Sequence, residues 1–218
     1  MRLMVRSMLV LAAAVGLLAT GCSSDSGRSE TKATEGQLGG MVRTPPLEVA
    51  AATMPQVGST EPFPFKAPKG DLLIVYFGYT SCPDICPSTF SDIRVGLREL
   101  SPEQQKRVEV AFVTVDPDRD TPVVMGGYLD NFFEEMPNIR TVALRSEDLS
   151  QLQATADTFG VQYEIEDHEP GSKRYEVAHT AVTFVVDDTG KVLVEWPFGF
   201  QGVDMGADLK ILLAKGQQ

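Results

Sequence analysis

Apolar residues gather in short runs set between polar, glycine- and proline-rich turns, and their spacing shifts between a period of two and a helical period. Leu72 to Phe77 is continuous, Leu-Leu-Ile-Val-Tyr-Phe, which predicts a central strand covered on both faces. Gly78 and Pro83 break it. Phe90, Ile93, Leu97 and Leu100 then repeat at helical spacing behind Pro87, which suits the first position of a helix because its missing N–H would be unpaired there. Val108 to Val115 alternates and runs into Asp116-Pro-Asp-Arg-Asp-Thr-Pro122, a strand followed by a turn and a helix start. Asp120 or Thr121 can cap that helix, with Tyr128, Leu129, Phe132 and Phe133 on its inner side. Ile139 to Leu144 predicts a short strand. The helix after Ser146 places Leu149, Leu152, Ala156 and Phe159 inward and stops at Gly160. Residues 162–174 read as a polar loop. Strands over 181–186 and 191–196 then flank the tight turn Asp187-Asp-Thr-Gly190, and a helix over 203–215 carries Leu209, Leu212 and Leu213.

Alternating strands and helices that end in a hairpin and a helix predict an α/β domain of three layers around a central mixed sheet, over residues 45–218. A thioredoxin-like fold has this order, with a cysteine motif at the end of a central strand. Residues 45–69 are rich in Pro and Gly with little periodicity, and both a short hairpin and an irregular lead-in stay open there. Met125, Met136 and Met205 are soft donors in principle, but methionine at helical positions usually fills the core.

Before the domain, Arg2 and Arg6 precede the apolar run Met8 to Leu18 and then Ala19-Thr20-Gly21-Cys22. The run is short for a membrane span, so residues 1–21 are expected to be a secretory signal. The cysteine directly after it resembles that of a bacterial lipoprotein signal, which implies an acylated Cys22 as mature N-terminus; a soluble secreted protein cleaved nearby is the alternative. A tether over 22–44, poor in large apolar residues, follows. An acylated Cys22 would put the domain at the cell membrane, lipid-anchored, on the extracytoplasmic side, where bare thiols are usually committed to a task. Taking Arg2 and Arg6 from the 19 basic residues leaves 17 against 30 acidic ones, a net charge of −13, which excludes electrostatic binding of nucleic acid.

With Cys22 assigned to the anchor, Cys82 and Cys86 are the two left of three cysteines. Cys86 falls at a predicted helix N-terminus, where unpaired N–H groups and the positive helix end favour a thiolate over a thiol. Two sulfurs four residues apart across a turn can converge on one soft ion or oxidise to a disulfide, and the spacing chooses neither. A purely structural disulfide closing so small a loop would stabilise by about 2 kcal/mol or less.

Three segments then carry a resemblance: Gly78-Tyr-Thr-Ser-Cys-Pro-Asp-Ile-Cys-Pro87, Val115-Asp-Pro-Asp-Arg-Asp-Thr-Pro122 and Tyr175-Glu-Val-Ala-His-Thr-Ala181. In order and spacing they resemble the signatures of the SCO/SenC family, membrane-anchored thioredoxin-like copper proteins that help assemble the copper centre of cytochrome c oxidase. The resemblance implies one copper ion, Cu(I) or Cu(II), on Cys82, Cys86 and His179. It also implies a metallochaperone rather than an enzyme, with oxidase subunit II or another copper-accepting protein as partner. The chemistry agrees, since soft thiolates select Cu(I) and imidazole suits copper. His179-Thr180 stands where thioredoxin-like reductases resemble one another in having a cis-proline, which favours a ligand over a disulfide platform. His168, in Glu164-Ile-Glu-Asp-His-Glu-Pro170, reads as part of a solvated acidic loop. The carboxylates of 116–120 are open between orienting His179, meeting a partner, and turn or cap duty. Ala178 and Phe184 depart from the family pattern, which commonly has Asp and Tyr there. A thiol-disulfide oxidoreductase acting on a partner's metal-binding cysteines is the competing function, and a peroxide-reducing relative a third.

Overall fold

The computed structural model describes residues 36–169 and 171–216; the expected signal 1–21, Cys22 and the first part of the tether lie outside the described residues. Among the described residues no helix is long and apolar enough to cross a membrane. The elements follow in the order β1 (Thr53–Pro55), β2 (Pro62–Pro64), β3 (Leu72–Gly78), α1 (Ile85–Arg98), α2 (Pro102–Gln105), β4 (Val108–Thr114), α3 (Pro122–Phe133), β5 (Arg140–Leu144), α4 (Leu149–Phe159), β6 (Tyr163–Ile165), β7 (Val177–His179), β8 (Val182–Val186), β9 (Val192–Pro197) and α5 (Gly202–Lys215).

The central sheet has the order β5-β4-β3-β8-β9, parallel through its first three strands and antiparallel from β3 onward. All seven residues of β3 are buried, as its unbroken apolar run requires, because helices cover both faces. On one face Tyr76 and Phe112, partners across β3 and β4, meet Phe90 of α1, which stacks on Phe132 of α3; α5 packs beside α1 on that side. On the other face Phe77 meets Phe159 of α4, and Phe65, just after β2, closes over Phe159. The result is the expected three-layer α/β arrangement. Of the two alternatives for residues 45–69 the chain forms the hairpin, β1 against β2.

Local rules explain the helix ends. Thr121, not Asp120, caps α3 by accepting from the Val124 N–H, and Pro122 opens the helix. Asp148 caps α4, and Gly160 ends it in the left-handed conformation, φ +69°. Leu149 departs from expectation: at the first position of α4 it lies 53% exposed, ahead of the stripe Leu152, Ala156 and Phe159 that reaches the core.

Two further differences come from long-range contacts. The polar stretch 162–174 begins with β6, which pairs antiparallel with β7 in a separate two-stranded ribbon. Residues 39–43, assigned by composition to the tether, are strapped to the domain. Buried Asp208 accepts the N–H groups of Gly39 (2.7 Å) and Gly40 (3.0 Å), and buried Glu195 holds Arg43 through two hydrogen bonds of 2.8 and 3.0 Å. Carboxylates need donors when buried, and this apolar-poor segment supplies them.

Candidate metal centre

The carboxyl end of β3 delivers the chain into Tyr79-Thr80-Ser81-Cys82, and α1 begins three residues later. Asp84, the residue before α1, makes no side-chain capping bond. The sulfur of Cys82 takes that duty instead, accepting the Cys86 N–H at 3.4 Å, so an otherwise orphaned donor at the helix start points at a thiol. Gly78 allows the second thiol to sink against the strand: a Cβ there would lie 2.9 Å from Cys86 Sγ. Any other side chain would displace the sulfur.

His179 reaches the same place from β7. Its cross-strand partner is Tyr163, and Thr180 is fixed next to it by its N–H to the Gln162 carbonyl (2.8 Å) and by accepting the Gln162 N–H on its hydroxyl (3.0 Å). His179 is therefore the last residue of a two-stranded ribbon. Its Nδ1 lies 3.1 Å from the Thr180 carbonyl. A carbonyl oxygen only accepts, so Nδ1 carries the hydrogen and the lone pair of Nε2 is left facing the thiols, 3.4 Å from Cys86 Sγ. One ligand atom from each of Cys82, Cys86 and His179 lies within 4.8 Å of the others. Both cysteines are free thiols, Cys82 half-buried and Cys86 buried.

Burial sets the protonation here. It pushes the Cys86 thiol up to about 12, with the Tyr79 backbone N–H pulling the other way. The thiolate expected from the helix N-terminus is thus corrected: in the absence of a cation, loss of solvent outweighs the helix end. Burial also lowers the pKa of the His179 imidazole, while the Thr180 carbonyl partly restores it. A protonated thiol and a neutral imidazole suit a site that exchanges a proton for a soft cation. The rings of Tyr76 and Tyr79 stand edge-on to the imidazole, at centroid distances of 6.1 and 5.8 Å. Burial and the nearby Cys82 push the Tyr79 phenol up to about 12.

The loop 115–121 resolves the roles left open for its carboxylates. Asp120 is fully buried and accepts from the Thr80 N–H (3.0 Å), the Thr80 hydroxyl (2.5 Å) and the Thr114 hydroxyl (2.6 Å). It thereby fixes the backbone two residues before Cys82. Asp116, also fully buried, accepts from the Arg119 guanidinium and from the Tyr175 hydroxyl (2.6 Å). Arg119 lies over the rings of Tyr175 (3.8 Å) and Tyr79 (5.3 Å) and donates to the Tyr175 carbonyl at 3.0 Å. The hydrogen bond that orients His179 is donated by its Nδ1–H to the Thr180 carbonyl and not to either carboxylate. His168 is kept from the thiols by stacking on Tyr175, 3.7 Å between ring centroids, so it is half-buried rather than solvated. Met125, Met136 and Met205 are core residues. Phe184 packs on Phe77 and Phe159, on the α4 face. Exposed Ala178 borders a groove of about 640 Å³ beside His179, lined also by Gln162, Tyr163 and Thr180.

Sequence reasoning did not find Tyr76, Arg119 or Tyr175. For Tyr76 a signal existed, a lone hydroxyl in an otherwise apolar central strand.

Comparison with known proteins adds the lineage. A family model described as SCO1/SenC matches residues 59–214. The SCO2-like protein of Rickettsia felis is 32% identical over 125 residues, 57% of this chain, and the match spans only 58% of that relative. The apo Sco1 structure from Thermus thermophilus has 29% identity, covers 86% of this chain and 98% of its own, and superposes with a TM-score of 0.61. Bradyrhizobium japonicum ScoI, solved with copper bound, has 28% identity, covers 73% of this chain and 95% of its own, and gives a TM-score of 0.59. The fold is thioredoxin-like.

Proposed function

The chain belongs to the SCO1/SenC family, and from that membership we propose that it is a copper metallochaperone whose cargo ion is held by Cys82, Cys86 and His179. The observation that carries this is the convergence of two sulfurs and the unprotonated nitrogen of an imidazole within 4.8 Å. Two soft sulfurs and one nitrogen suit Cu(I) without enclosing it, and half-buried Cys82 leaves one side of the group approachable by an acceptor's ligands. His179 is held in the required tautomer by Thr180, and the Cys86 thiol gives up its proton to bulk water as copper binds. Copper-bound ScoI supports the choice of metal.

The acceptor we propose is subunit II of cytochrome c oxidase or another copper-accepting protein, reached from a membrane position fixed by a lipid on Cys22. Anaerobic Cu(I) titration of the full-length protein tests the site. One ion per chain is expected, with binding weakened by more than about 100-fold in Cys82→Ala, Cys86→Ala and His179→Ala, because even groups outside the ligand set typically cost 10 to 100-fold. Equal stoichiometry and affinity in all three variants would falsify the proposal. For the anchor, labelled fatty acid should enter the wild type and not Cys22→Ser. For the partner, subunit II should be recovered by pulldown of the anchored protein.

A thiol-disulfide oxidoreductase is the second reading, favoured by the proximity of the two free thiols. It would have to attack through Cys82, because burial keeps Cys86 protonated. A mixed disulfide trapped with the partner in Cys86→Ala would support it; a lack of any trapped species under oxidising conditions would sink it.

A further inference from the structure

Within β3, one polar group stands in a row of apolar ones. Tyr76 is completely buried, and among the described residues its hydroxyl has no hydrogen-bond partner. Leaving a buried hydroxyl unpaired costs stability, and phenylalanine would fill the same space without that cost. The surroundings say where the hydroxyl can turn. The point occupied by a Cβ built on Gly78 lies 2.9 Å from Cys86 Sγ and also 2.9 Å from Tyr76 Cε1, the ring carbon next to the one bearing the hydroxyl. The same ring stands edge-on to the His179 imidazole. The Tyr76 ring is thus a neighbour of both Cys86 and His179.

The other acceptor near the phenol is the hydroxyl of Thr89, whose own proton goes to the Ile85 carbonyl at 2.9 Å. A neutral thiol sulfur is a weak acceptor, whereas a thiolate is a strong one. The phenol therefore has little to gain from Cys86 until that sulfur becomes charged.

We propose that Tyr76 is a positioning residue for the copper site, its O–H turned to the Cys86 sulfur once that sulfur is deprotonated and bound to the ion. The inference rests on the copper reading given above. Cys86 loses its proton to water, while Tyr76 keeps its own and shares it. A donated hydrogen bond withdraws electron density from the Cys86 sulfur. Cys82, which accepts the Cys86 N–H, remains the more exposed of the two sulfurs.

Full-length wild type and Tyr76→Phe, each studied copper-free and copper-loaded, test the idea. Three results are expected for Tyr76→Phe. Copper-free, it melts at or above the wild-type temperature, because an unpaired hydroxyl is gone. Its Cu(I) affinity falls about 10-fold. Its sulfur-to-Cu(II) charge-transfer band moves to longer wavelength, because the sulfur has lost a donor. A tyrosine that only fills the core, or one that donates to Thr89, would change the copper-free and copper-loaded melting temperatures equally and leave the band in place, which overturns the inference while the copper site stands. No sulfur-to-copper band even in wild type would instead remove the copper reading and this inference together. If Tyr76→Phe does not fold, the wild type loaded with Cu(I) decides by NMR: a slowly exchanging Tyr76 hydroxyl proton seen only with the metal supports the bond, and its absence contradicts it.

Discussion

Two groups of buried polar side chains sit at the same rim of the sheet and differ in how fully their hydrogen bonds are made. Around loop 115–121, Asp120 takes three donors from Thr80 and Thr114, and Asp116 takes Arg119 and the Tyr175 hydroxyl. A few ångströms away, Cys86, His179 and Tyr76 keep a thiol, a lone pair and a hydroxyl without strong partners. In the first cluster both carboxylates are engaged and one guanidinium nitrogen of Arg119 is left over, whereas in the second no group has a strong partner. Natural cores satisfy their polar groups, so the first cluster behaves as scaffold and the second as a site waiting for something outside the chain. The carboxylates aim the cysteine turn without competing for its ligand.

If that division is right, damage to the two clusters should separate stability from copper binding. The largest loss of stability is expected for Arg119→Ala, which leaves the fully buried Asp116 carboxylate without its cation. About 3 to 5 kcal/mol is the usual cost of such a change, and a thermal scan should show a fall of about 10 °C or more. A melting temperature within a few degrees of wild type would show the clasp to be dispensable.

Asp120→Ala should cost about 2 to 3 kcal/mol by stranding the Thr80 and Thr114 donors, and should also weaken copper binding because Thr80 leads into Cys82. Its pH dependence sharpens the point. Burial raises the Asp120 carboxyl above its ordinary value, so the folded state holds that proton more tightly than the unfolded chain does. Its contribution to stability is therefore greatest below the unfolded carboxyl's pKa and declines as pH rises through the raised value. Asp120→Asn should remove this decline from denaturation midpoints measured across acidic pH.

On the other side of the comparison, copper binding must remove the proton of Cys86, a thiol pushed up to about 12. Apparent Cu(I) affinity should rise about 10-fold per pH unit near neutrality for each proton released. A flat profile in anaerobic competition titrations would mean that Cys86 is not a ligand. The smallest effect belongs to His179 in the copper-free protein. Its pKa is lowered by burial, so stability is complete above the ordinary imidazole value and falls as pH drops through the lowered one. His179→Gln should flatten that acid-side slope.

The reasons some of this was legible in sequence are local. Leu72 to Phe77 could be read as a doubly covered strand because every residue in it is apolar or aromatic, and Pro122 and Gly160 mark helix ends by their own backbone chemistry, whereas Pro87, expected at the first position of its helix, is the third residue of α1, still within the first turn where its missing N–H costs no helical bond. The parts that were missed depend on distant partners. Residues 39–43 look like tether until Asp208 and Glu195, more than 150 positions away, are seen to need donors. The ribbon of β6 and β7 consists of two three-residue strands, too short for any periodicity, and only their pairing sets Tyr163 opposite His179. At the site itself, the cysteine spacing and the histidine were visible, and so was a helix end favouring a thiolate. The burial that reverses that preference at Cys86 arises from Gly78, Tyr76 and the layers around them, and spacing carries no trace of it.

X-ray absorption spectroscopy of the full-length protein loaded with one equivalent of Cu(I) tests the central claim most directly. The geometry predicts two sulfur scatterers and one nitrogen, with the sulfur contribution halved in either single cysteine variant. A coordination shell of nitrogen and oxygen alone, or one unchanged when Cys82 and Cys86 are both replaced, would contradict it.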